Sequence, residues 1–308
     1  MSAPSSAQPC RRARAWVALL AVLAAVLSLV AGCSDEPPEP APPTEPPSTG
    51  APSPTPSPTP PPPQVTDFPD ETNTGVPAGT RLEASEKLKI TEDGTVIDGL
   101  EIFGNVVVEA DDVVIRNSRI VMTSGKIAVR VEGENFLMED SEIDGQGRAN
   151  PAVAFNDYTL RRVRIYNVAE GPRIAGDNVT IEDSYIHDVI QRGDNHTDVI
   201  QVMKGDNIVI RGNNLQAYNP ETGNYGNAAF MFGEDSGPVS GCLVEGNLMN
   251  GGNYTVNGGG SGTEGAACEF RDNAFQGDSR YGTSANLGPN VVWDDSNVEV
   301  GSWRPVRG

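Results

Sequence analysis

The 308-residue chain carries 42 Asp and Glu against 22 Lys and Arg, a formal net charge of −20 at pH 7. Such a balance excludes nucleic acid as a partner and argues against direct contact with an anionic lipid surface. Both histidines, His187 and His196, fall in one acid-rich stretch, YIHDVIQRGDNHTDVIQV (185–202).

In chain order, residues 1–32 read as a targeting segment. Arg11, Arg12 and Arg14 precede an apolar run, Trp16 to Val30, that is short for a membrane span and suits a secretory signal. It ends in Val30-Ala31-Gly32-Cys33, which resembles the lipobox of bacterial lipoproteins. The resemblance implies cleavage before Cys33 and lipid attachment there, placing the mature protein on the outer face of a bacterial cytoplasmic membrane. Residues 33–64 follow as a lipidated cysteine and a linker. Fifteen of the 25 prolines lie between Pro37 and Pro63, with no apolar stripe to offset the entropy of ordering. At about 3.1 Å per residue, such a tract reaches roughly 80 Å, enough for a stalk.

Residues 65–308 are expected to form one all-β domain. DDVVIRNSRI (111–120), ENFLMEDSEI (134–143), NDYTLRRVRI (156–165), DNVTIEDSYI (177–186) and DNIVIRGNNL (206–215) align, with their last apolar residues 23, 22, 21 and 29 apart. The pattern extends to Ile102, Met249 and Phe275. Short alternating strands at a period in the low twenties predict a right-handed parallel β-helix of about eight to nine coils. Ser118, Ser141, Ser184, Asn213, Asn247 and Asn273 share one repeat position and are expected to form an inward polar ladder. Cys242 and Cys268 also share a position, so coils about 4.8 Å apart bring them within disulfide reach. Two buried free thiols are the alternative.

HTDVIQ (196–201) followed by GDNIVIRGN (205–213), with GGNYTVNGGG (251–260), resembles segments of the pectate-lyase-like right-handed parallel β-helix superfamily, over roughly residues 85–300. That resemblance implies a carbohydrate partner, mostly acidic polysaccharide, and lyases, hydrolases or epimerases as activities. The chain lacks the polygalacturonase set (N-T-D, D-D, G-H-G, R-I-K) and the D-P-H-E motif of mannuronan epimerases, so no single activity follows.

Counting back from the Gly-Asp-Asn-like turns places Val131, Ala154, Ile174, Met203 and Met231 inward, and Arg130, Val153, Arg173, Val202 and Phe230 outward. Asp198 then shares the outward face, His196 follows it, and Gln201 points inward. The expected site has His196, Asp198 and Asp194 as the catalytic group, since a histidine beside a carboxylate is a competent base near neutral pH. Arg173, Arg130, Phe230 and Lys204 are expected to hold substrate, the guanidinium groups on a carboxylate or sulfate and the ring against a sugar. For a hydrolase, the carboxylate pairs would be Asp194 with Asp198, or Asp188 with Asp198. His187 reads as a solvated turn residue. Neither reading requires a cofactor; Ca2+ is the metal the acids suit, on Asp188 and Asp194. Two functions remain open: a polysaccharide lyase or glycosidase, and a non-catalytic glycan-binding or display lipoprotein. Either is expected to be a monomer held to the membrane by its lipid.

Overall fold

The structure, a computed structural model, describes residues 64–191, 195–234, 236–258 and 265–308. The signal segment, Cys33, the linker up to Pro63 and Asp194 lie outside the described residues. The alternation of Val and Ile with polar residues builds three faces per coil. The first is a nine-stranded sheet with one short strand from each coil, from Val96–Asp98 through Tyr158–Arg161 to Val292–Trp293. Pairing is parallel from coil to coil, as in Tyr158↔Val179 and Ile208↔Cys242. The other two faces are ladders joined through the long strand Leu100–Val108 into one 17-stranded sheet, again parallel. Together they make the right-handed parallel β-helix that the repeat predicts, with the hand that parallel crossovers take. Among the described residues the helical content is one 3-10 turn, Val65–Asp67.

The core is a set of stacks. Ile120, Ile143, Ile165, Ile186, Leu215, Met249 and Phe275 pair in register and are buried. Each such side chain contributes about 1.5–3 kcal/mol, against an ordering cost of about 1–2 kcal/mol for its backbone. At the preceding corner the polar ladder forms as expected and extends to Asn297; Ser118, Ser141, Ser184, Asn213, Asn247 and Asn273 are fully buried. The amide N–H of Ser184 donates to Asn213 Oδ1 (3.0 Å), that of Asn213 to Asn247 Oδ1 (2.9 Å) and that of Asn247 to Asn273 Oδ1 (3.0 Å). The side-chain amides donate to carbonyls such as Ile210 O. Residues before the ladder sit at positive φ, among them Asn117, Asp183, Gly212 and Gly246, which turns the chain sharply between two faces.

A segment with no counterpart in the repeat lies across the coils. Phe68 is buried against Leu248 and Ala274. Pro69 O accepts a hydrogen bond from Asn214 Nδ2 (2.8 Å), and Gly75 N–H donates to Arg162 O (2.9 Å). The chain thus enters beside late coils and straps back over earlier ones before the first strand, Glu83–Ile90. At the far end Trp293 stacks on Phe270 and Phe275 and donates its Nε1–H to Val306 O (2.7 Å).

Cys242 pairs directly with Cys268 in adjacent strands and the two are disulfide-bonded. A bridge closing a loop of this length constrains the unfolded chain by about 3 kcal/mol. Cys242→Ser/Cys268→Ser should therefore lower the denaturation midpoint by that order while the β-rich circular dichroism is unchanged. Equal stability of variant and parent would refute a stabilising bridge.

Candidate functional site

The outward face expected to carry the site is shifted by a β-bulge. Ile174 pairs with Val202, but Ala175 pairs with Lys204, so Met203 is an extra residue in the strand Asp198–Lys204. A one-residue slip inverts every side chain. The outward column is Arg130, Ala154, Arg173, Gln201, Met231 and Asn257. Val202 is consequently a core residue; Val153 and Phe230, expected outside, are also in the core, and Phe230, expected to stack on a sugar, is fully buried against Phe232 and Phe270. Gln201, expected inside, is outside and accepts a hydrogen bond from Arg173 Nε (2.9 Å).

The two expected arginines do face outward, and both are already paired. Arg173 grips the buried Glu170 with Nε and Nη2 and also reaches Asn150 Oδ1 (3.1 Å). Arg130 pairs with Glu132 at 2.5 Å and lies over the Phe155 ring. Lys204 borders a different cleft, of about 480 Å³, with Asp157, Asp177 and Asp206. Asp198 is fully buried where the strand begins: Oδ1 accepts from Asn227 Nδ2 (2.8 Å), and Oδ2 has no hydrogen-bond partner among the described residues. Burial pushes its carboxyl up to about 7, the Asn227 hydrogen bond opposes this, and the nearby Glu170 charge adds to it. Glu170 is itself raised by burial, with Arg173 opposing. His196 is exposed, and among the described residues no hydrogen bond or ion pair joins it to Asp198. Of the expected catalytic group Asp194 lies outside the described residues, and Arg173 is near enough to Asp198 for its charge to lower that carboxyl.

The neighbouring face holds the histidine that is bonded to a carboxylate. Residues flanking the inward isoleucines point out, giving the columns Arg119, Glu142, Arg164, Tyr185 and Val121, Asp144, Tyr166, followed by His187. His187 is not a solvated turn residue. Its ring stacks on Tyr185 (4.1 Å between centroids) and on Tyr166 of the preceding coil (5.6 Å). Nδ1 lies 2.8 Å from Asp188 Oδ2, and Asn219 Nδ2 donates to Asp188 Oδ1 (2.7 Å). The His187 hydrogen bond lowers the Asp188 carboxyl below its ordinary value, against its burial. With the proton on Nδ1, Nε2 is a buried acceptor with no hydrogen-bond partner among the described residues. Tyr166 is tied down in turn, accepting from Arg119 Nη2 (3.0 Å).

Tyr185, His187 and Asp188 open on a cleft of about 800 Å³ that is also lined by Glu71, Asn167, Asn219, Thr222 and Asn224. One wall is the N-terminal strap and the other the inserted loop after Gln216. The sequence held a signal for this placement: Tyr185 and His187 flank Ile186, so the strand period of two sends both outward. What it did not show was Asn219, which arrives from a loop 31 residues further on. The calcium expectation falls on Asp188 and on Asp194, which lies outside the described residues. Among the described residues no group of three or more His, Cys, Asp and Glu is placed to hold a metal.

No family model matches the chain, and no curated protein matches it. Among solved structures, it is similar to the tailspike protein of E. coli bacteriophage HK620, in complex with a pentasaccharide. The identity is 13%, with 68% of this chain and 43% of that one covered and a TM-score of 0.47. The chain thus spans less than half the length of that tailspike. The β-helix itself stands on the strand pairing described above.

Asp198 generates a test through pH. Its folded value, about 7, exceeds the ordinary 3.8, so between those limits the folded chain holds a proton that the unfolded chain has lost. This contribution to stability is fully present below about pH 4 and is lost as pH rises through 7. Asp198→Asn should remove that fall. Relative to the parent, it should gain stability from pH 4.5 to pH 8, by about 4 kcal/mol at most. A variant-minus-parent difference that is flat with pH in denaturant titrations would refute the burial account.

Proposed function

We propose that this protein is a polysaccharide-binding β-helix, displayed on the outer face of a bacterial cytoplasmic membrane by lipid on Cys33 and a proline-rich stalk. The observation that carries the reading is the stack of Tyr185 on His187, opening on a cleft walled by carboxamides and carboxylates. Sugars present apolar C–H faces and a dense array of hydroxyls. Aromatic rings meet the faces, and planar amides and acids held in place meet the hydroxyls. Gln216 and Asn250, hydrogen-bonded to one another (3.0 Å), continue the polar column beyond the cleft. A solenoid contacts only its neighbouring coils, so a long polymer finds repeated contacts along one face. The resemblance to the pectate-lyase-like superfamily supports the same ligand class.

Binding is favoured over chemistry because, among the described residues, no hydrogen bond or ion pair joins His196 to Asp198 or Arg173. A catalytic reading has one observation of its own: Asn219 and Asp188 orient His187 as a carboxylate orients a general base. On that reading the protein is a lyase or glycosidase acting through His187.

Titration calorimetry against a glycan panel tests the site. His187→Ala and Asn219→Ala should each weaken binding by about tenfold or more, equivalent to about 1.4 kcal/mol, with circular dichroism unchanged. Unaltered affinity in both variants would remove the cleft from the reading. Turnover, followed as unsaturated uronate absorbance and reducing ends, should fall by about 10²-fold in His187→Ala if the histidine is a base; binding with no turnover retains the first reading.

The anchor has its own test. Cys33→Ser should leave the precursor unprocessed or release the protein into the medium. Unchanged membrane fractionation would show that Cys33 does not carry the lipid.

A further inference from the structure

The loop that walls the cleft also builds a second surface. Asn219 and Asn224 form an antiparallel bridge across its tip. The tyrosines just outside that bridge, Tyr218 and Tyr225, pack ring to ring at 5.0 Å. Tyr254 lies in the strand Tyr254–Asn257 and meets Tyr281 of the following coil at 5.7 Å. Arg280 places its guanidinium over the Tyr225 ring (5.9 Å) and the Tyr281 ring (5.6 Å). Backbone bonds fix this arrangement, because the N–H groups of Arg280 and Tyr281 donate to Gly252 O and Asn253 O, both at 2.9 Å.

An exposed tyrosine or one cation–π contact is ordinary on a protein surface. Arg280 over Tyr281 is a contact between sequence neighbours and carries little by itself. Its contact with Tyr225 comes from another coil and is the informative one. The state of the charge adds a second, independent observation. Arg116, Arg161, Arg173, Arg211 and Arg271 are each paired with an acid. Arg280 is exposed and, among the described residues, its guanidinium has neither an ion pair nor a hydrogen bond. In a chain of net charge −20, a positioned and unneutralised guanidinium is a local departure from the surface around it. Tyr281 beside it is 63% exposed.

We infer that Tyr218, Tyr225, Tyr254, Arg280 and Tyr281 form a second saccharide site, selective for a sugar ring bearing a carboxylate or sulfate. The exposed Tyr281 ring takes the C–H face of the sugar and the guanidinium takes its anionic group in a bidentate pair. This rests on the polysaccharide reading and adds to it the charge of the ligand and the residue that reads it. Arg173 and Arg130, the arginines that the repeat singles out, are occupied by Glu170 and Glu132; of the described arginines without an ion pair, Arg280 is the one set over aromatic rings. Because a single loop supplies Asn219 and Asn224 to the cleft and Tyr218 and Tyr225 to this platform, one polymer is expected to touch both.

The experiment is calorimetry on the full chain with three probes: hexagalacturonate, its fully methyl-esterified form and a chondroitin sulfate hexasaccharide. At least one charged probe should bind tenfold or more tighter than the esterified one, with affinity falling as salt rises. Whichever charged probe leads identifies carboxylate or sulfate as the group read. Arg280→Gln should abolish the preference for charge, and Tyr281→Ala should weaken all binding. His187→Ala should weaken charged and uncharged probes alike, leaving their ratio intact. The inference is overturned if Arg280→Gln leaves the ratio unchanged, or if the esterified probe binds as well as the charged ones. In that last case, loss of binding in His187→Ala keeps the polysaccharide reading while this site falls. Failure of all three probes to bind overturns both.

Discussion

Each coil of this solenoid bonds to the coil before it and the coil after it, so an inward position is correct only if it repeats. The corner ladder from Ser118 to Asn297 shows the strictness of that constraint. From Ser184 to Asn273 each member donates its amide N–H to the side chain of the next coil, and the last, Asn297, accepts from Asn273 and donates its own to Asp294 O. A buried amide left without an acceptor costs about 1–3 kcal/mol, so the column tolerates Ser or Asn and little else. The one apolar substitution, Val163, lies where Ser184 of the next coil still accepts its N–H at 3.0 Å. The stacks of Ile and Leu beside the ladder, and the paired cysteines, follow from the same register.

Outward positions and corners are free of that constraint, and the chemistry collects there. Two of the three faces use the freedom for charge pairing. On the nine-stranded face, Glu182 is held between Arg161 and Arg211, and Glu245 pairs with Arg271. On the face of Arg173, the guanidinium closes over Glu170. The third face is where aromatic side chains replace part of the charge pairing, and where the strap and the longer corner loops rise on either side. A cleft forms there because coils of 29 and 34 residues must place their surplus outside a cross-section that cannot widen.

Burial at the Asp198 corner has a separate meaning. Glu170 and Asp198 occupy neighbouring coils, both nearly without solvent; burial raises both carboxyls, and the Glu170 charge raises that of Asp198 further. One arginine cannot neutralise both, so the corner carries an electrostatic strain that grows as pH rises. Asp198 pairs with Ala228 and is bonded by Asn227, where the Asn219 loop rejoins the sheet one coil later. Such placement agrees with the general observation that strained or uncompensated groups gather near functional surfaces.

The local sequence was sufficient for everything that repeats. The V-x-I alternation, the Asn and Asp turns and the spacing of 21–23 residues specify the coil, the ladder, the inward column from Ile102 to Phe275 and the adjacency of Cys242 and Cys268. Those features depend on period alone, and period is written in the chain. Tertiary structure decided whatever breaks the period. The bulge at Met203 moved Val202 into the core and Gln201 out, because one extra residue in a strand inverts its faces without changing its composition; Phe230 is in the core because it pairs with the inward Ile200. Pairing was equally invisible: no spacing shows that Arg173 is spent on Glu170, that Asp188 is held by Asn219, or that Arg280 is set over Tyr225 and Tyr281. Side-chain partners across coils are set by where loops fold back, and a loop has no period from which its path can be read.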